Sequence, residues 1–463
     1  MTIDALRLPP RSPARQPSAL LTGAILPTIA RLSLPNMLAM LATTLVAIAE
    51  TWYVGKFGTS ALAGLTFVFP MVMLQQMMSG GAMGSGVSSA ISRALGAGDD
   101  ARASALALHA VVIGACVGLL FTWLLLAYGH KVYQLLGGHG EALAQALTYS
   151  NIVFVGVAGV WLCNTAASII RGSGNMAVPS ATLLFVAVTQ VAIGGVFGLG
   201  WLGVPSLGMA GVALGTVIAY GLGAVFMLFY LLSGRGRVAL RLRGATLKWG
   251  LFRDILKVGG LACISPIQSV LTVLVITRLV STFGTEALAG YGIGARLEFL
   301  LIPIAFAIGT SCVPMVGMAL GAGQASRARR VAWSGGLLAA ACVGLVGVLA
   351  AIWPDVWTTL FTTDAAVIAS ARSYFRWTGP WYELYGLGLC LYFASLGAGQ
   401  VVGPVLAGTV RLVIAMVGGW WLASIGAPAW MFFALIGGAM AAYGLATALS
   451  VYLVPWGKLQ KAA

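Results

Sequence analysis

The sequence predicts an all-α polytopic membrane protein: about twelve transmembrane helices in two six-helix lobes related by a pseudo-twofold axis. Three observations carry that prediction. Composition comes first, because 60% of residues are hydrophobic, 8% are charged and the mean hydropathy is +0.96. A water-soluble fold of this size cannot hide so much apolar surface. Second, apolar stretches of about 20 residues, the length that crosses a hydrocarbon core, recur along the chain. Third, the text is duplicated. FGTSALAG at Phe57 returns as FGTEALAG at Phe283, an offset of 226, and ALGAG at Ala94 returns at Ala319, an offset of 225. Tyr149 with Tyr374 and Pro179 with Pro404 also lie 225 apart. Matches held at one offset, with a single one-residue slip, mark a tandem repeat.

Residues 1–17 are a basic, Pro-rich tail with the composition of a disordered segment, carrying Pro9, Pro10, Pro13 and Pro17 among Arg7, Arg11 and Arg15. The apolar run from Ala19 to Ala30 follows basic residues as a secretory leader would, but no small-residue cleavage site follows and Arg31 leads into a longer apolar segment. Residues 18–31 therefore read as a short surface helix. Spans at 32–56, 61–91, 105–128, 142–170, 176–202 and 208–232 complete an N-terminal lobe, 18–232.

The linker 233–257 is the one long polar interruption. It holds seven of the 26 basic residues (Arg235, Arg237, Arg241, Arg243, Lys248, Arg253 and Lys257) against one acid, Asp254, and so belongs in water. Its end leads into a C-terminal lobe, 254–463, with spans at 254–283, 287–318, 331–353, 366–396, 402–424 and 429–455.

Basic loops alternate with poor ones. The tail, Arg93 with Arg102, Arg171, the linker, Arg327 with Arg329 and Arg330, and Lys458 with Lys461 fall on one side; Lys56, Lys131, Glu141, Glu286, Asp355 and Asp364 fall on the other. That asymmetry predicts a plasma (inner) membrane protein with both termini and the linker cytoplasmic. An even number of spans per repeat makes both lobes enter and leave on the same side, so their axis runs along the membrane normal, and substrate is expected between them near the midplane.

The net charge of +15 raises nucleic acid as a partner, but the basic residues serve bilayer orientation and form no single face, so none is expected. The six cysteines fall singly in apolar runs and read as small buried hydrophobes. His109, His130 and His139 have no ligand-spaced partners, so no metal site is expected. A membrane-embedded enzyme is disfavoured because no nucleophile–base pair, HExxH or phosphate loop is present.

In the first span Asn36, Thr43 and Glu50 stand seven apart, drifting only about 20° per step, so they share a face. A carboxylate there costs a few kcal/mol unless hydrated, paired or protonated, which makes Glu50 a candidate proton or cation site; an acid meeting water near the membrane surface is the bland alternative. The fifth span offers Thr182, Thr189 and Gln190, and the second Gln75, Gln76 and Ser79. Such residues line a cavity or bridge neighbouring helices. Met71 belongs to a run of methionines (Met37, Met40, Met73, Met77, Met78, Met83) that suits either an adaptable pocket or gap filling.

The second lobe carries Arg296 and Glu298 in the eighth span and Glu383 in the tenth. Tyr374, Trp377, Trp381 and Tyr385 recur there at helical spacing, an aromatic wall that beside a carboxylate would cradle an organic cation. Arg296, Arg278 or Arg411 could instead neutralise the acids in structural pairs. The seventh span contributes Ser265, Gln268, Ser269 and Thr272.

From Ser18 onward the text resembles the multidrug and toxic compound extrusion (MATE) family. The matching segments are Pro35, ETWYVGKFGTSALAG from Glu50, RALGAGD from Arg93, RGSGNMAVP from Arg171, GARLEFLLIP from Gly294, ALGAGQ from Ala319 and GAGQVVGP from Gly397. The resemblance implies a MATE-like fold and a secondary antiporter. It would export organic, often amphipathic or cationic, small molecules in exchange for H⁺ or Na⁺ by alternating access, with no other cofactor, as a monomer in the lipid bilayer.

It further implies that Glu50 stands where many members carry a cation-coupling acid, and that Pro35 is the first-helix proline at which a bend accompanies coupling. Gln190 stands where several members have a second acid, and Val186 where they have an Asn. Glu383 lies about two residues out of register with a tenth-helix acid of other branches. The alternative within the superfamily is a flippase or exporter of a lipid-linked or other specific metabolite, for which a more cationic cavity and extra helices are expected.

Overall fold

The structure is a computed structural model describing residues 19–241 and 246–456; the 1–17 tail, Arg243, Lys458 and Lys461 lie outside the described residues. Ten of its helices are long and apolar enough to cross a membrane, and eleven if Gly140–Val155 and Val157–Gly172, bent by 47°, are one span. In chain order the first lobe has Ile25–Gly55, Thr59–Gly96, Asp100–Leu135, the bent fourth span, Ala177–Leu199 and Met209–Leu232. The second has Trp249–Phe283, Thr285–Gly321, Ala325–Ile352, Val402–Ser424 and Ala429–Leu453. Between the ninth span and Val402 runs the tenth: Ala365–Thr378, a 3₁₀ turn at Gly379–Trp381, then Tyr382–Gly397. It carries Arg372, Arg376 and Glu383, which lower its apolarity.

The duplicated text reappears as duplicated structure. Gly58 and Gly284, the Gly of the two FGT motifs, have φ of 106° and 97°. Only glycine takes such angles without strain, and each starts the next span at the threonine that follows. The fourth and tenth spans are both interrupted, at Gly156 and at Gly379–Trp381.

One boundary differs from expectation. Residues 18–31 are not a separate surface helix: a single turn, Ala19–Thr22, is followed at Ile25 by the first span, which runs unbroken past Arg31. Pro27 falls in its first turn, where a missing N–H costs nothing.

The seventh span is jointed, Trp249–Ala262 then Ile264–Val280. Pro266 explains the joint, since it cannot donate to the carbonyl of Ala262 and its ring crowds that oxygen. The freed carbonyl accepts the Tyr392 hydroxyl at 3.3 Å instead.

The two halves meet at the end where the basic loops lie. Asn36 Nδ2 donates to Thr310 Oγ1 at 2.8 Å, Ser89 Oγ to the Gly397 carbonyl at 3.1 Å, and Arg102 pairs with Asp254 at 2.5 Å. His109, fully buried, accepts the Lys248 N–H on Nε2 at 2.8 Å, and Arg327 donates to the carbonyls of Leu20 and Gly23 at 3.1 and 2.6 Å. Gly86 crosses Gly259 so closely that a Cβ on Gly86 would stand 2.5 Å from the Gly259 nitrogen. Among the described residues no hydrogen bond joins the halves at the opposite end. There Asp355 forms a bidentate pair with Arg372 at 2.6 and 2.7 Å within one lobe, which holds the Asp355 carboxyl below its usual pKa.

Candidate functional site

Glu50, half-buried near the end of the first span, is held by three other spans. Its Oε1 accepts Gln190 Nε2 at 2.7 Å and Thr216 Oγ1 at 3.2 Å, Gln190 Nε2 also reaches Thr216 Oγ1 at 2.9 Å, and the Tyr149 hydroxyl stands beside the same carboxylate. The meeting depends on a close helix crossing: a Cβ on Gly215 would stand 2.7 Å from the Gln190 carbonyl. Lacking one, the sixth span lies against the fifth and brings Thr216 within reach.

A second polar chain continues through the same lobe. Gln76 Nε2 donates to the Tyr220 hydroxyl at 2.6 Å, and Asn164 Nδ2 donates to Gln76 Oε1 at 2.9 Å and Ser79 Oγ at 2.8 Å. Ser168 and then Arg171 follow toward the basic end. Gln75 is buried, and among the described residues its Oε1 has no hydrogen-bond partner.

In the second lobe Glu298 is half-buried and Oε1 accepts the hydroxyls of Tyr374 and of Tyr382, the latter at 3.2 Å. Tyr149 and Tyr374, 225 residues apart, thus stand beside two carboxylates supplied by different helices, and Tyr374 donates to its own. Glu298, Val343, Tyr382 and Tyr385 line a crevice.

The expected face of Asn36, Thr43 and Glu50 divides by depth. Asn36 is buried in the contact between the lobes, and Thr43 is exposed and bonds back to the Met40 carbonyl at 2.7 Å, so of the three only Glu50 enters the polar cage. Gln190 joins it as expected, whereas Thr189 is half-buried and turned to the neighbouring face. Met71 packs on the core. Gln268 Nε2 donates to Thr409 Oγ1 at 2.8 Å and its own carbonyl accepts Thr272 Oγ1, so both bridge or brace helices. Pro35 lies inside the first span.

The aromatic wall is corrected most. Glu383 is exposed and lies against Gly344 of the ninth span, so the carboxylate beside the tyrosines is Glu298. Trp381 turns to Gly437 of the twelfth span, and Trp377 stacks on Trp430 at 5.0 Å. Arg296 is exposed over the Phe361 ring at 5.1 Å. Neither it, Arg278 nor Arg411 comes within 4 Å of a carboxylate among the described residues. Thr216, Tyr220 and Asn164 were not singled out from sequence. Asn164, the one amide in the Val157–Gly172 half of the fourth span, was the most findable.

No group of three or more His, Cys, Asp or Glu side chains converges among the described residues. Each lobe instead offers one carboxylate among neutral hydrogen-bond donors, an arrangement suited to taking up and releasing a single small cation.

Two like-built bundles, joined at one end and each enclosing a carboxylate beside a phenol, define a two-lobed integral membrane transporter. The MatE family profile matches residues 35–196 and 262–421, one segment per repeat, and the chain belongs to that family of transporters. It is similar to the probable multidrug resistance protein NorM of Thermotoga maritima, 25% identical over 84% of both chains. Its similarity to the FAD transporter of Shewanella oneidensis is 25% identity over 82% of this chain and 81% of that one, and to the multidrug export protein MepA of Staphylococcus aureus 24% over 83% and 85%. The fold matches that of a MOP superfamily transporter from Pyrococcus furiosus with a TM-score of 0.85 at 21% identity, covering 96% of this chain and 97% of that one. A multidrug resistance MATE family transporter in the outward-facing conformation matches with a TM-score of 0.83 at 22% identity, covering 95% and 97%.

Proposed function

We propose that the protein is a secondary active antiporter that exports organic, amphipathic or cationic small molecules in exchange for H⁺ or Na⁺. It would work by alternating access between lobes 18–232 and 254–463, as a monomer in the plasma (inner) membrane with both termini cytoplasmic. The observation that carries the reading is the Glu50 carboxylate, held by Gln190 at 2.7 Å and by Thr216 at 3.2 Å with Tyr149 beside it. An acid that four spans converge on is positioned for ion exchange rather than for packing. With the basic loops cytoplasmic, the halves close on the cytoplasmic side, the outward-facing member of an alternating pair.

The test is uptake by proteoliposomes under Na⁺ and pH gradients imposed separately. Wild-type protein is expected to move dyes under the pH gradient or the Na⁺ gradient, and Glu50→Gln to lose the gradient dependence while remaining folded. Undiminished gradient-driven uptake by that variant removes Glu50 from the mechanism. Export of one specific metabolite is the second reading, supported by the relative named as an FAD transporter.

A further inference from the structure

The N-terminal lobe buries a guanidinium that ion binding at Glu50 does not account for. Arg171 lies in the last turn of the fourth span, where orientation in the bilayer would ask only for a charge in water. It is instead 7% exposed, and among the described residues no carboxylate lies within 4 Å of it. Burying a charge without a counter-charge is costly, so the position calls for a reason.

The reason lies in what the guanidinium stands behind. Arg171 Nη2 donates to Ser168 Oγ at 3.3 Å, Ser168 Oγ to the Asn164 carbonyl at 2.7 Å, Asn164 Nδ2 to Gln76 Oε1 at 2.9 Å, and Gln76 Nε2 to the Tyr220 hydroxyl at 2.6 Å. One helical turn from Tyr220, Thr216 donates to Glu50 at 3.2 Å. Every one of these bonds is donated in the direction of the carboxylate. A cation leaving Glu50 for the cytoplasm would therefore meet the positive ends of successive dipoles, with a full positive charge behind them.

Two features make the chain a barrier rather than a conduit. Its links are amides, hydroxyls and a guanidinium, and neither Gln76 nor Asn164 carries a group that takes up and releases protons near neutral pH. The packing around it is also close: a Cβ on Gly84 would stand 2.5 Å from Ser168 Oγ, and one on Gly172 3.0 Å from the Ser88 carbonyl. The second and fourth spans thus touch at both levels with no room for a side chain between them.

We propose that Arg171 is an electrostatic plug that closes the cytoplasmic route from Glu50, so that the coupling cation crosses only when the lobes reorient. This rests on the antiporter reading and adds what keeps exchange from becoming a leak. A fixed arginine repels H⁺ and Na⁺ alike, as charged residues do in selective pores. Arg171 does not touch the ion-binding carboxylate; it acts on the path beyond it.

The experiment measures H⁺ entry, by a trapped pH-sensitive dye, and ²²Na⁺ entry into proteoliposomes of the full-length protein with no substrate. Wild-type flux is expected to match protein-free vesicles, and Arg171→Gln to raise the flux of the coupling ion about ten-fold or more. Arg171→Lys, which keeps the charge and loses the planar fork, should stay near wild type. The added flux should vanish in the double variant Glu50→Gln/Arg171→Gln. A wild-type leak above that of protein-free vesicles, an Arg171→Gln variant as tight as wild type, an Arg171→Lys variant as leaky as Arg171→Gln, or flux that persists in the double variant overturns the proposal. If Arg171→Gln does not fold, Cys163→Asp decides by the same readout: Cys163 lies beside the guanidinium, and a carboxylate there neutralises the charge in place. That variant should leak, and a tight one overturns the plug. Gradient-driven dye uptake by wild type tests the antiporter reading separately: its failure leaves the leak comparison standing, and the reverse also holds.

Discussion

The Glu50 carboxylate accepts from an amide and a threonine and has a phenol beside it, so each of these groups can be removed in turn without creating a new charge. A hydrogen bond to a charged group contributes about 1.5–3 kcal/mol, and Thr216→Val deletes one with little change in shape. Ion-dependent uptake is expected to fall about ten-fold or more in that variant, and also to fall in Tyr149→Phe, which takes the phenol from beside the carboxylate. Initial rates in proteoliposomes at matched protein loading check this, and equal rates for wild type and Tyr149→Phe take the phenol out of the cage. Glu50 was legible because an acid in an apolar run is conspicuous. Its partners were not, because Thr216 and Tyr149 are neutral residues of the kind that also merely tie helices together. Tyr149 carried one further mark, its repetition as Tyr374, and the structure gives that mark a meaning: each phenol stands at a carboxylate, and Tyr374 bonds to its own.

Among the helices, the element that fixes the cage is the crossing of the fifth and sixth spans at Gly215. A side chain there has no room, because the obstacle is the Gln190 carbonyl at 2.7 Å, part of a backbone that cannot turn aside. Gly215→Val should push the two spans apart, lower stability by about 1–3 kcal/mol and carry Thr216 out of range. A drop in the thermal midpoint together with lost coupling is the expected result, and a variant with the wild-type midpoint contradicts the crossing. Helix order and most boundaries could be read from apolar run lengths. The tenth span's facing could not, since projecting Tyr374, Trp377, Trp381 and Tyr385 onto one stripe assumes an unbroken 3.6-residue period. The 3₁₀ turn at Gly379–Trp381 changes the phase within that stripe. Trp377 and Trp381 consequently pack toward the twelfth span, and Glu383 leaves the crevice to Glu298. Pairings distant in sequence were equally hidden, as when Cys312 and Cys390, each alone in its own apolar run, come to 4.0 Å.

For the whole molecule, the lobes meet through small residues at the basic-loop end, with Gly86 against Gly259. Gly86→Leu places a side chain where the Gly259 backbone stands, so the closed seam cannot form as it does here. Spin labels on either side of that seam are expected to show longer distances by pulsed electron resonance in the variant than in wild type. An unchanged distribution contradicts a seam set by this contact. Duplication of the whole bundle was legible from the 225-residue offset, but which end of the pair is shut is a property of tertiary contact that no repeat encodes. The seam also contains the place where the polypeptide passes from one half to the other. There the Lys248 N–H rests on His109 and Asp254 on Arg102, so the strand crossing over is fastened to the third span on arrival. It acts as a fulcrum rather than a slack leash: reorientation of the halves must turn about that fastening or first undo both of its bonds.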